Sequence, residues 1–478
     1  MPRYQRPDVY VERKRDSAPP VDAVGTSVAG FTGITHRGRT GKPIWVTSWT
    51  DFIRKCAEGL DSPFKEDADL PYAVRAFFDN GGTQLYINRI VGENAEKATA
   101  EVGADGDTIL EALSVGEWGN EITIQIEENE DDTELFDIIV EIDGEEVEII
   151  AELSDDEDDE NYFEDVINDE SDFIQVDTDA GGLEEEEDVE FSGGDDDIEN
   201  IDKADWVDEL NEFDVIENVS IMAVPGQTSN DVQQGLLDYC EGRGDCFAIV
   251  DPSVGEDVQG YNEEKDGLGS HFGAYYAPNL YTLDPAGGGR RLVPPSGFIA
   301  GDYARTDSER GVHKAPAGVE HRLLGAVDVE TEFTAGDMAS LNSNNVNCIV
   351  EKDGVGIVTW GARLITPHLD RVYVSDMRFD IMVEQSCYEA TDWVIFEPNT
   401  PDLWERIITS IEGFLYNLWE QGMLFGETPE EAYYVKCDEE LNPPEVREDG
   451  RVIAEVGYAK TKPAEFFVIR FAQKTQEQ

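Results

Sequence analysis

The sequence predicts a multidomain protein of mixed α/β and α+β class. It comprises an α/β core with an inserted acidic β-rich domain, and a C-terminal α+β domain with extended terminal arms. Three observations lead to this prediction. A β-α-β order lies at 221–252, a stretch without any Lys or Arg runs from Lys97 to Lys203, and a long amphipathic segment lies at 401–424. With 478 residues, the chain has room for about two to four domains.

The core prediction rests on apolar strands that alternate with helical sequence. The strand "IMAVPG" at 221–226 precedes a helical stretch around Asp231–Cys240, and "CFAIVDP" at 246–252 forms the next strand. Strands joined through a helix usually run parallel in one sheet. From 252 to 318 the chain is rich in Gly and Pro and has little periodicity, which predicts a long, loop-rich segment of functional importance.

The stretch without basic residues predicts a separate module. It contains acidic runs, "SDDEDDE" at 154–160 and "LEEEEDVE" at 183–190. Strand-like segments lie within this stretch at Ile122–Ile126 and Leu135–Ile142, and Gly144 marks a turn. The pattern indicates an inserted β-rich domain with a solvated acidic surface. Calcium binding is the alternative interpretation of its Asp clusters, but none shows the spacing of an EF-hand loop, so we predict no metal site there.

The C-terminal part of the chain predicts a helix packed on a sheet. Within 401–424 the apolar residues recur at the spacing of one helix face, and they are Leu403, Ile407, Ile411, Leu415 and Leu418. Gly422 and Gly426 follow as stop signals. Strands are predicted at Ala432–Cys437 and Arg451–Tyr458.

The charge balance predicts adaptation to high salt. The chain carries 106 acidic and 35 basic residues, a net charge of -71. Such repulsion would destabilise a compact protein in dilute buffer, whereas molar salt shortens the Debye length to about 3 Å. A generic acidic protein is the alternative interpretation. No nucleic-acid partner is expected, because phosphate binding needs a basic surface.

Both chain ends are basic and carry short apolar strands. Residues 1–17 contain five basic and three acidic side chains, and residues 460–478 contain four and two. The N-terminal strand candidate is Val9, Tyr10 and Val11, flanked by Pro7 and Arg13. The C-terminal strand is apolar on both faces and consists of Phe466, Phe467, Val468, Ile469, Arg470 and Phe471. Each end could add a strand to the edge of a sheet in another copy, or it could fold back on its own domain.

Motifs of enzymes and of cofactor or metal sites are missing from the sequence. "GRTGKP" at 38–43 fails the Walker spacing, because His36 stands in place of the first Gly and Pro43 in place of Ser or Thr. No GxSxG or HExxH motif occurs, and the six cysteines include no CxxC pair. We therefore predict buried free thiols, no catalytic residues, no cofactor and no metal.

The N-terminus "MPRYQRPDVYVERKR" lacks the apolar core of a signal peptide, and no run is long enough for a membrane span. The expected product is made in the cytoplasm and does not insert into a membrane.

Several stretches together resemble the contractile tail sheath family of tailed viruses and related injection machines. The opening reads "RPDVYVERKRDSAPPVDAVGTSVAGFTGITHRG" at 6–38, and the most specific match is "VPPSGFIAGDYARTDSERGVHKAPAG" at 293–318. "TWGARLI" at 359–365, "VIFEPNTPDLW" at 394–404 and "KPAEFFVIRF" at 462–471 complete the set. The resemblance covers nearly the whole chain outside about 127–200.

The resemblance implies a structural subunit that polymerises helically around an inner tail tube and contracts to drive it through a target envelope. Its expected partners are other copies, the inner tube, and baseplate and tail-terminator proteins. The particle would be a virion tail, such as that of a haloarchaeal virus, or an injection device assembled in the cytoplasm. N- and C-terminal arms would exchange strands between subunits. A secreted acidic surface-layer or adhesin protein of a halophile is the alternative.

The resemblance also marks residues expected to have structural roles: Pro294, Pro295, Gly297, Arg305, Asp307, Gly311, Lys314, Pro316, Trp360, Gly361, Arg363, Glu397, Pro398 and Trp404. The expected division of the chain is an N-terminal arm at 1–24, a discontinuous core at 25–97 and 201–350, an outer acidic domain at 98–200, an inner domain at 351–461 and a C-terminal arm at 462–478.

Overall fold

The structure is a computed structural model that describes residues 19–66, 68–103, 106–129, 135–179, 182–285, 287–368 and 371–466. The predicted N-terminal strand and all of the C-terminal strand except Phe466 lie outside these residues. The chain forms two compact units. One comprises Gly25–Ile381, and the other combines the segment up to Val24 with the chain from Met382 onward. The predicted domain boundaries at 97/98, 200/201 and 350/351 remain predictions.

An eight-stranded sheet forms the centre of the Gly25–Ile381 unit. Its strands, numbered in chain order, are β1 (Ala29–Gly33), β2 (Ile44–Val46), β3 (Leu85–Arg89), β11 (Ile221–Ala223), β12 (Phe247–Val250), β13 (Gly273–Ala277), β17 (Asn347–Lys352) and β18 (Gly356–Thr359). Their order is β18-β17-β13-β12-β11-β1-β3-β2. The six inner strands run parallel, and β2 and β18 pair antiparallel at the two edges. The predicted β-α-β order and parallel sheet are confirmed.

Helices cover both faces of this sheet, as parallel strands require. They are α1 (Trp49–Cys56), α2 (Leu70–Asp79), α4 (Lys203–Asp208), α5 (Asn230–Arg243), α6 (Val258–Asp266), α7 (Ser296–Arg310) and α8 (Ala335–Ser343). Phe77 of α2 and Ile299 of α7 share one apolar cluster with Phe31 of β1. Leu236 of α5 belongs to a second cluster with Met222 of β11. Successive side chains of each strand point to opposite faces of the sheet, so the two clusters draw on alternate residues of the same strands.

The prediction of a loop-rich segment at 252–318 is wrong. This segment holds α6, β13 and the 15-residue helix α7, together with two strands of a small antiparallel sheet. That sheet consists of β14 (Leu280–Leu283), β15 (Arg290–Val293) and β16 (Ala326–Val329). Residues 296–304 of α7 are all buried, so this part of the helix has no solvent-exposed face and shows no 3.6-residue pattern in the sequence.

The acidic stretch folds as a β-rich insert with its own core, as its strand-like segments predict. Its elements are β4 (Thr99–Val102), β5 (Thr108–Ala112), β6 (Ile122–Glu128), β7 (Phe136–Ile142), β8 (Glu145–Leu153), α3 (Phe163–Glu170), β9 (Ile174–Asp179) and β10 (Glu186–Glu190). They form one sheet in the order β10-β6-β7-β8 and another in the order β4-β5-β9. Gly144 has φ of 78° in the turn between β7 and β8. The apolar cluster between the sheets draws its buried residues from within 98–191.

The helix α9 (Val374–Ala390) follows the short pair β19 (Arg363–His368) and β20 (Arg371–Tyr373). Beyond it lie α10 (Pro401–Glu420), α11 (Pro429–Ala432), β21 (Tyr433–Lys436), α12 (Pro444–Glu448) and β22 (Glu455–Tyr458). The predicted amphipathic helix is α10, which buries the apolar face that the spacing indicated. It ends at Glu420, and Gly422 with φ of 75° follows. β21 and β22 pair antiparallel.

All six cysteines are free, and five of them are buried, which confirms the predicted thiols. In the described part of the chain, every helix is too short or too polar to cross a membrane.

Candidate functional site

The most specific signature segment, 293–318, places α7 against the sheet through a buried carboxylate. Asp251 follows β12 directly, and its side chain accepts hydrogen bonds from the backbone N–H of Ser296 at 2.8 Å and the Ser296 hydroxyl at 2.7 Å. The backbone N–H of Gly226 also donates to it at 3.3 Å. Pro294 and Pro295 lead into the helix, and Ser296 is its first residue. Asp251 therefore accepts from an N–H that the helix itself leaves unpaired.

Burial controls the protonation of this carboxyl group. Asp251 is 2% exposed, and desolvation raises its pKa to about 7, although the three hydrogen bonds favour the ionised form. The nearby Asp69 adds to the rise in the pKa. The sequence did not predict this role of Asp251, because it shows only a polar residue at the end of an apolar strand.

Two glycines bring α7 into close contact with α2. A Cβ at Gly297 would lie 2.3 Å from the backbone oxygen of Ala73, and one at Gly301 would lie 2.6 Å from the backbone oxygen of Phe77. Any side chain at these positions would push the helices apart. Gly297 is therefore a packing residue, and Gly301, four residues later, acts in the same way.

A polar cluster occupies the middle of α7. The carboxylate of Asp302, fully buried, pairs with Arg305, which also donates to the backbone oxygen of Arg322 at 2.9 Å. The Nδ1 atom of His321 lies 3.2 Å from both carboxylate oxygens of Asp302. The Thr306 hydroxyl lies 3.2 Å from the same nitrogen. This cluster fixes the loop after α7 to the helix.

Asp307 forms the second charge contact of α7. Arg378 of α9 donates to its two carboxylate oxygens at 3.0 and 2.6 Å and to the backbone oxygen of Thr26 at 2.7 Å. The Thr26 hydroxyl donates to Asp307 at 2.6 Å. The Arg378 guanidinium also lies 4.6 Å from the ring centroid of Tyr303. Desolvation raises the pKa of Asp307, and Arg378 opposes that rise.

The end of the signature segment stops the helix. Gly311 has φ of 90° and its N–H bonds to the carbonyls of Thr306 and Asp307, a conformation that favours glycine. Lys314 donates to the backbone oxygen of Ala315 at 3.2 Å, and Pro316 is buried.

The residues of "TWGARLI" hold the edge of the large sheet. The side chain of Asn347, fully buried, accepts from the N–H of Arg363 at 2.6 Å and donates to the backbone oxygens of Arg363 and Tyr275 at 2.8 and 3.1 Å. A Cβ at Gly361 would lie 2.9 Å from the Cα of Asn347. Trp360 is 41% exposed, and the ammonium of Lys352 lies 3.9 Å from its ring centroid.

The signature stretch "VIFEPNTPDLW" at 394–404 belongs to the other compact unit. Trp404 is buried in α10 and donates through Nε1 to the side chain of Asn399 at 2.8 Å. Glu397 is exposed, lies 3.5 Å from Arg406 and is followed by exposed Pro398. Phe396, just before them, is fully exposed and has φ of 68°.

In the same unit, the described part of the N-terminal segment is tied to two helices. The backbone N–H of Val24 donates to the Ser386 hydroxyl of α9 at 3.0 Å, and the Ser410 hydroxyl of α10 donates to the backbone oxygen of Pro19 at 2.5 Å. Phe466 at the other end of the described chain is 72% exposed. The remaining predicted arm residues lie outside the described part.

The base of the insert is held by a buried ion pair that the sequence did not reveal. Arg89, at the end of β3 and fully buried, donates to Asp196 at 2.6 Å and to the backbone oxygens of Gly38 and His36 at 2.8 and 3.0 Å. Lys65 also pairs with Asp196. Because Asp196 lies where the chain leaves the insert, these contacts connect the insert to the body.

The signature residues are thus spread over helix packing, helix ends, ion pairs and a sheet edge. The structure does not gather them into one pocket. Within the described residues, no group of three or more His, Cys, Asp or Glu side chains is placed to hold a metal ion. These contacts instead join separate elements of the fold to one another.

The sequence also matches two models of one protein family. The phage tail sheath protein central domain matches residues 199–363, and the phage tail sheath C-terminal domain matches residues 373–474. Together they span more than half of the chain. The chain belongs to the phage tail sheath family. This membership agrees with the expectation of a structural protein and not an enzyme.

Two relatives are described as tail sheath proteins. A protein described as a prophage major tail sheath protein, from Pseudomonas aeruginosa (strain UCBPP-PA14), is 22% identical over 249 residues, or 51% of this chain and 62% of the relative. The tail sheath protein of Salmonella phage ViI is 25% identical over 281 residues, or 56% of this chain and 42% of the relative. The chain thus spans less than two thirds of the length of either relative.

Solved structures share the fold over most of the chain. The sheath complex of the extracellular contractile injection system PVC, in its contracted state, has a TM-score of 0.64 at 22% identity, covering 99% of both chains. The sheath tail protein of Desulfitobacterium hafniense has a TM-score of 0.66 at 15% identity, covering 90% of this chain and 94% of that one. The predicted combination of α/β and α+β parts is therefore the fold of tail sheath proteins.

Proposed function

We propose that this chain is the subunit of a contractile sheath. Copies polymerise helically around an inner tail tube, and contraction of the sheath drives that tube through a target envelope. The observation that carries this proposal is membership in the phage tail sheath family, supported by a shared fold over 99% of the chain with a contracted sheath complex. Head-to-tail contacts that do not close into a ring produce such an open helix.

Strand exchange through the terminal arms is the proposed link between subunits. The backbone N–H of Ala459 donates to the carbonyl of Ala432 at 2.8 Å, which sets the alternation of hydrogen bonds along β21 and β22. By this alternation the backbone of Val435 faces away from β22. No strand of the described chain pairs with that outer edge of β21. The edge is thus open to a strand from a neighbouring copy.

The terminal sequences have the properties that such a strand needs. The apolar run Phe466–Phe471 and the run Val9–Val11 are strand-forming, and both lie in basic chain ends on an acidic protein. Each backbone hydrogen bond of an added strand contributes about 0.5–1.5 kcal/mol net, so several such bonds hold neighbours together. The arms would stay paired while domain faces slide past each other.

In this proposal the extended sheath is a kinetically trapped state. A signal from a baseplate releases it, subunits move outward as nearly rigid bodies, and new lateral contacts supply the free energy. A tail terminator closes the other end. The particle is a virion tail or an injection device assembled in the cytoplasm. The alternative, a secreted surface-layer or adhesin protein, receives no support from the family to which the chain belongs.

Deletion of the arms tests the proposal. The full chain is expected to form helical tubes visible by electron microscopy. Removal of residues 1–17 or 462–478 is expected to leave soluble monomers, measured by light scattering. The matched control removes only 473–478, which lie beyond the apolar run, and is expected to leave tubes intact. Normal tubes from either arm deletion would contradict strand exchange, and a full chain that never assembles would contradict the sheath function.

A further inference from the structure

A cleft of about 370 Å³ lies where the insert joins the body of the Gly25–Ile381 unit. Its body side is formed by the segment after β1, by β2 and by α1, and its insert side by residues near Leu113 and Asp172. We call it the basic cleft after its cationic side chains, which are Arg37, Arg39, Arg54 and Lys55.

The composition of the basic cleft opposes that of the chain. Acidic residues outnumber basic ones by 106 to 35 overall, whereas the residues lining the cleft include four basic side chains and one acidic side chain, Asp172. Four basic side chains in one cleft of so acidic a protein suggest that the cleft contacts an anionic group. Trp45, which is 49% exposed, adds an apolar wall.

Arg37 carries unused hydrogen-bonding capacity. It is 7% exposed, its Nη2 donates to the backbone oxygen of Asp172 at 3.3 Å, and its guanidinium lies 4.3 and 5.2 Å from the ring centroids of Phe173 and Trp118. Its buried Nη1 has no hydrogen-bond partner among the described residues. A buried donor without an acceptor is costly, and a carboxylate entering the cleft would supply that acceptor.

The rim of the cleft presents two further guanidinium groups. Arg39 is exposed, donates to the backbone oxygen of Pro43 at 2.9 Å and forms no ion pair with the described residues. Arg54 is 55% exposed and shares Asp51 with Lys55, each at 3.0 Å. Two arginine side chains at the rim and one at the base can bind carboxylates in the planar, two-pronged manner that Arg favours.

The chain itself supplies a matching anion. Asp155 to Glu160 are six consecutive acidic residues, all exposed, and none of them pairs with a Lys or Arg of the described chain. We propose that the basic cleft binds this acidic run from a second copy of the chain. The proposal rests on the sheath function, because neighbouring copies in a helical lattice present the run at high effective concentration.

A labelled peptide tests this contact without requiring assembly. The peptide LSDDEDDEN, residues 153–161, is titrated with the full chain and binding is followed by fluorescence anisotropy at two salt concentrations. The control peptide carries Asn for Asp and Gln for Glu. The variant is R39E/R54E, and its matched control is R290E/R310E, which reverses two exposed arginines outside the cleft. Circular dichroism checks that both variants fold.

The acidic peptide is expected to bind the wild type and the control variant alike, and R39E/R54E about tenfold or more weakly. Higher salt is expected to weaken binding, and the amide peptide is expected not to bind. Equal binding to both variants, or binding of the amide peptide, would overturn the proposal. So would binding of phosphate or citrate alone, because the cleft would then be a site for free anions. Peptide binding by a chain that forms no tubes would overturn the sheath function but support the cleft.

Discussion

Arg378 and Asp307 form a two-pronged ion pair in which both side chains are nearly buried, 4% and 6% exposed. The same guanidinium donates to the backbone of Thr26, so one side chain joins α7, α9 and the segment that precedes β1. Removal of one partner of such a pair leaves an uncompensated charge in a medium of low polarity, which costs more than the pair itself contributes.

Substitution of this arginine is therefore expected to destabilise the protein strongly. R378A should lower the free energy of unfolding by about 3–5 kcal/mol, measured by urea denaturation. R310A is the matched control, because Arg310 makes an exposed pair with Glu320 at 2.8 Å. Its loss should cost about 0–1 kcal/mol. Equal stability of the two variants would contradict the importance of the buried pair.

The sequence predicted the helix α10 but missed the helix α7, and the two differ in how their side chains are buried. α10 was predicted because Leu403, Ile407 and Ile411 mark one face of an otherwise polar helix. α7 was missed because residues 296–304, which include Gly, Ser and Asp, are buried on every side of the helix, so no period appears in this stretch. Tertiary packing, not local preference, makes this segment helical.

Close packing of α7 against α2 gives a second prediction. G297A places a Cβ 2.3 Å from a backbone oxygen and should destabilise the protein by about 1–3 kcal/mol, because backbone cannot yield as a flexible side chain does. G413A in α10 is the control, since a Cβ there meets nothing within 4 Å. That change should stabilise the protein by about 0.5–1 kcal/mol. Thermal unfolding would measure both shifts, and a stabilised G297A would disprove the close approach.

Asp251 gives a prediction of pH dependence. Its folded pKa is about 7, whereas an unfolded Asp titrates near about 3.9. The folded state therefore holds the proton more tightly, and the stability that this carboxyl contributes is full at low pH. It is lost as pH rises from about 4 to about 7, by at most about 1.4 kcal/mol per pH unit.

Comparison with D251N isolates this effect from the many other carboxyl groups. The stability of the wild type, measured relative to D251N by urea denaturation at several pH values, is expected to fall as pH rises from 4 to 7. A difference that stays constant or grows over this range would contradict the raised pKa.

The insert shows why part of the site could not be read from the sequence. Its β-rich nature could be predicted because strand-like segments and acidic runs are each continuous along the chain. The basic cleft and the Arg89–Asp196 pair join residues that are 107 or more positions apart, or that face each other across the junction. No local pattern connects such residues, because only the closed fold brings Arg37 near Asp172.

The closeness of the two chain segments at this junction predicts that the insert can be removed. Thr99 and Ser192 exchange both backbone hydrogen bonds, at 2.9 and 3.0 Å, so Asn-Gly can replace residues 100–191 as a two-residue hairpin turn. Arg89, Lys65 and Asp196 remain in place. The shortened chain is expected to unfold cooperatively and to form tubes. A control that replaces only 100–185 leaves β10 without its partner β6 and is expected to aggregate. Circular dichroism and electron microscopy measure both outcomes, and an unfolded or aggregated 100–191 variant would show that the body depends on the insert for its stability.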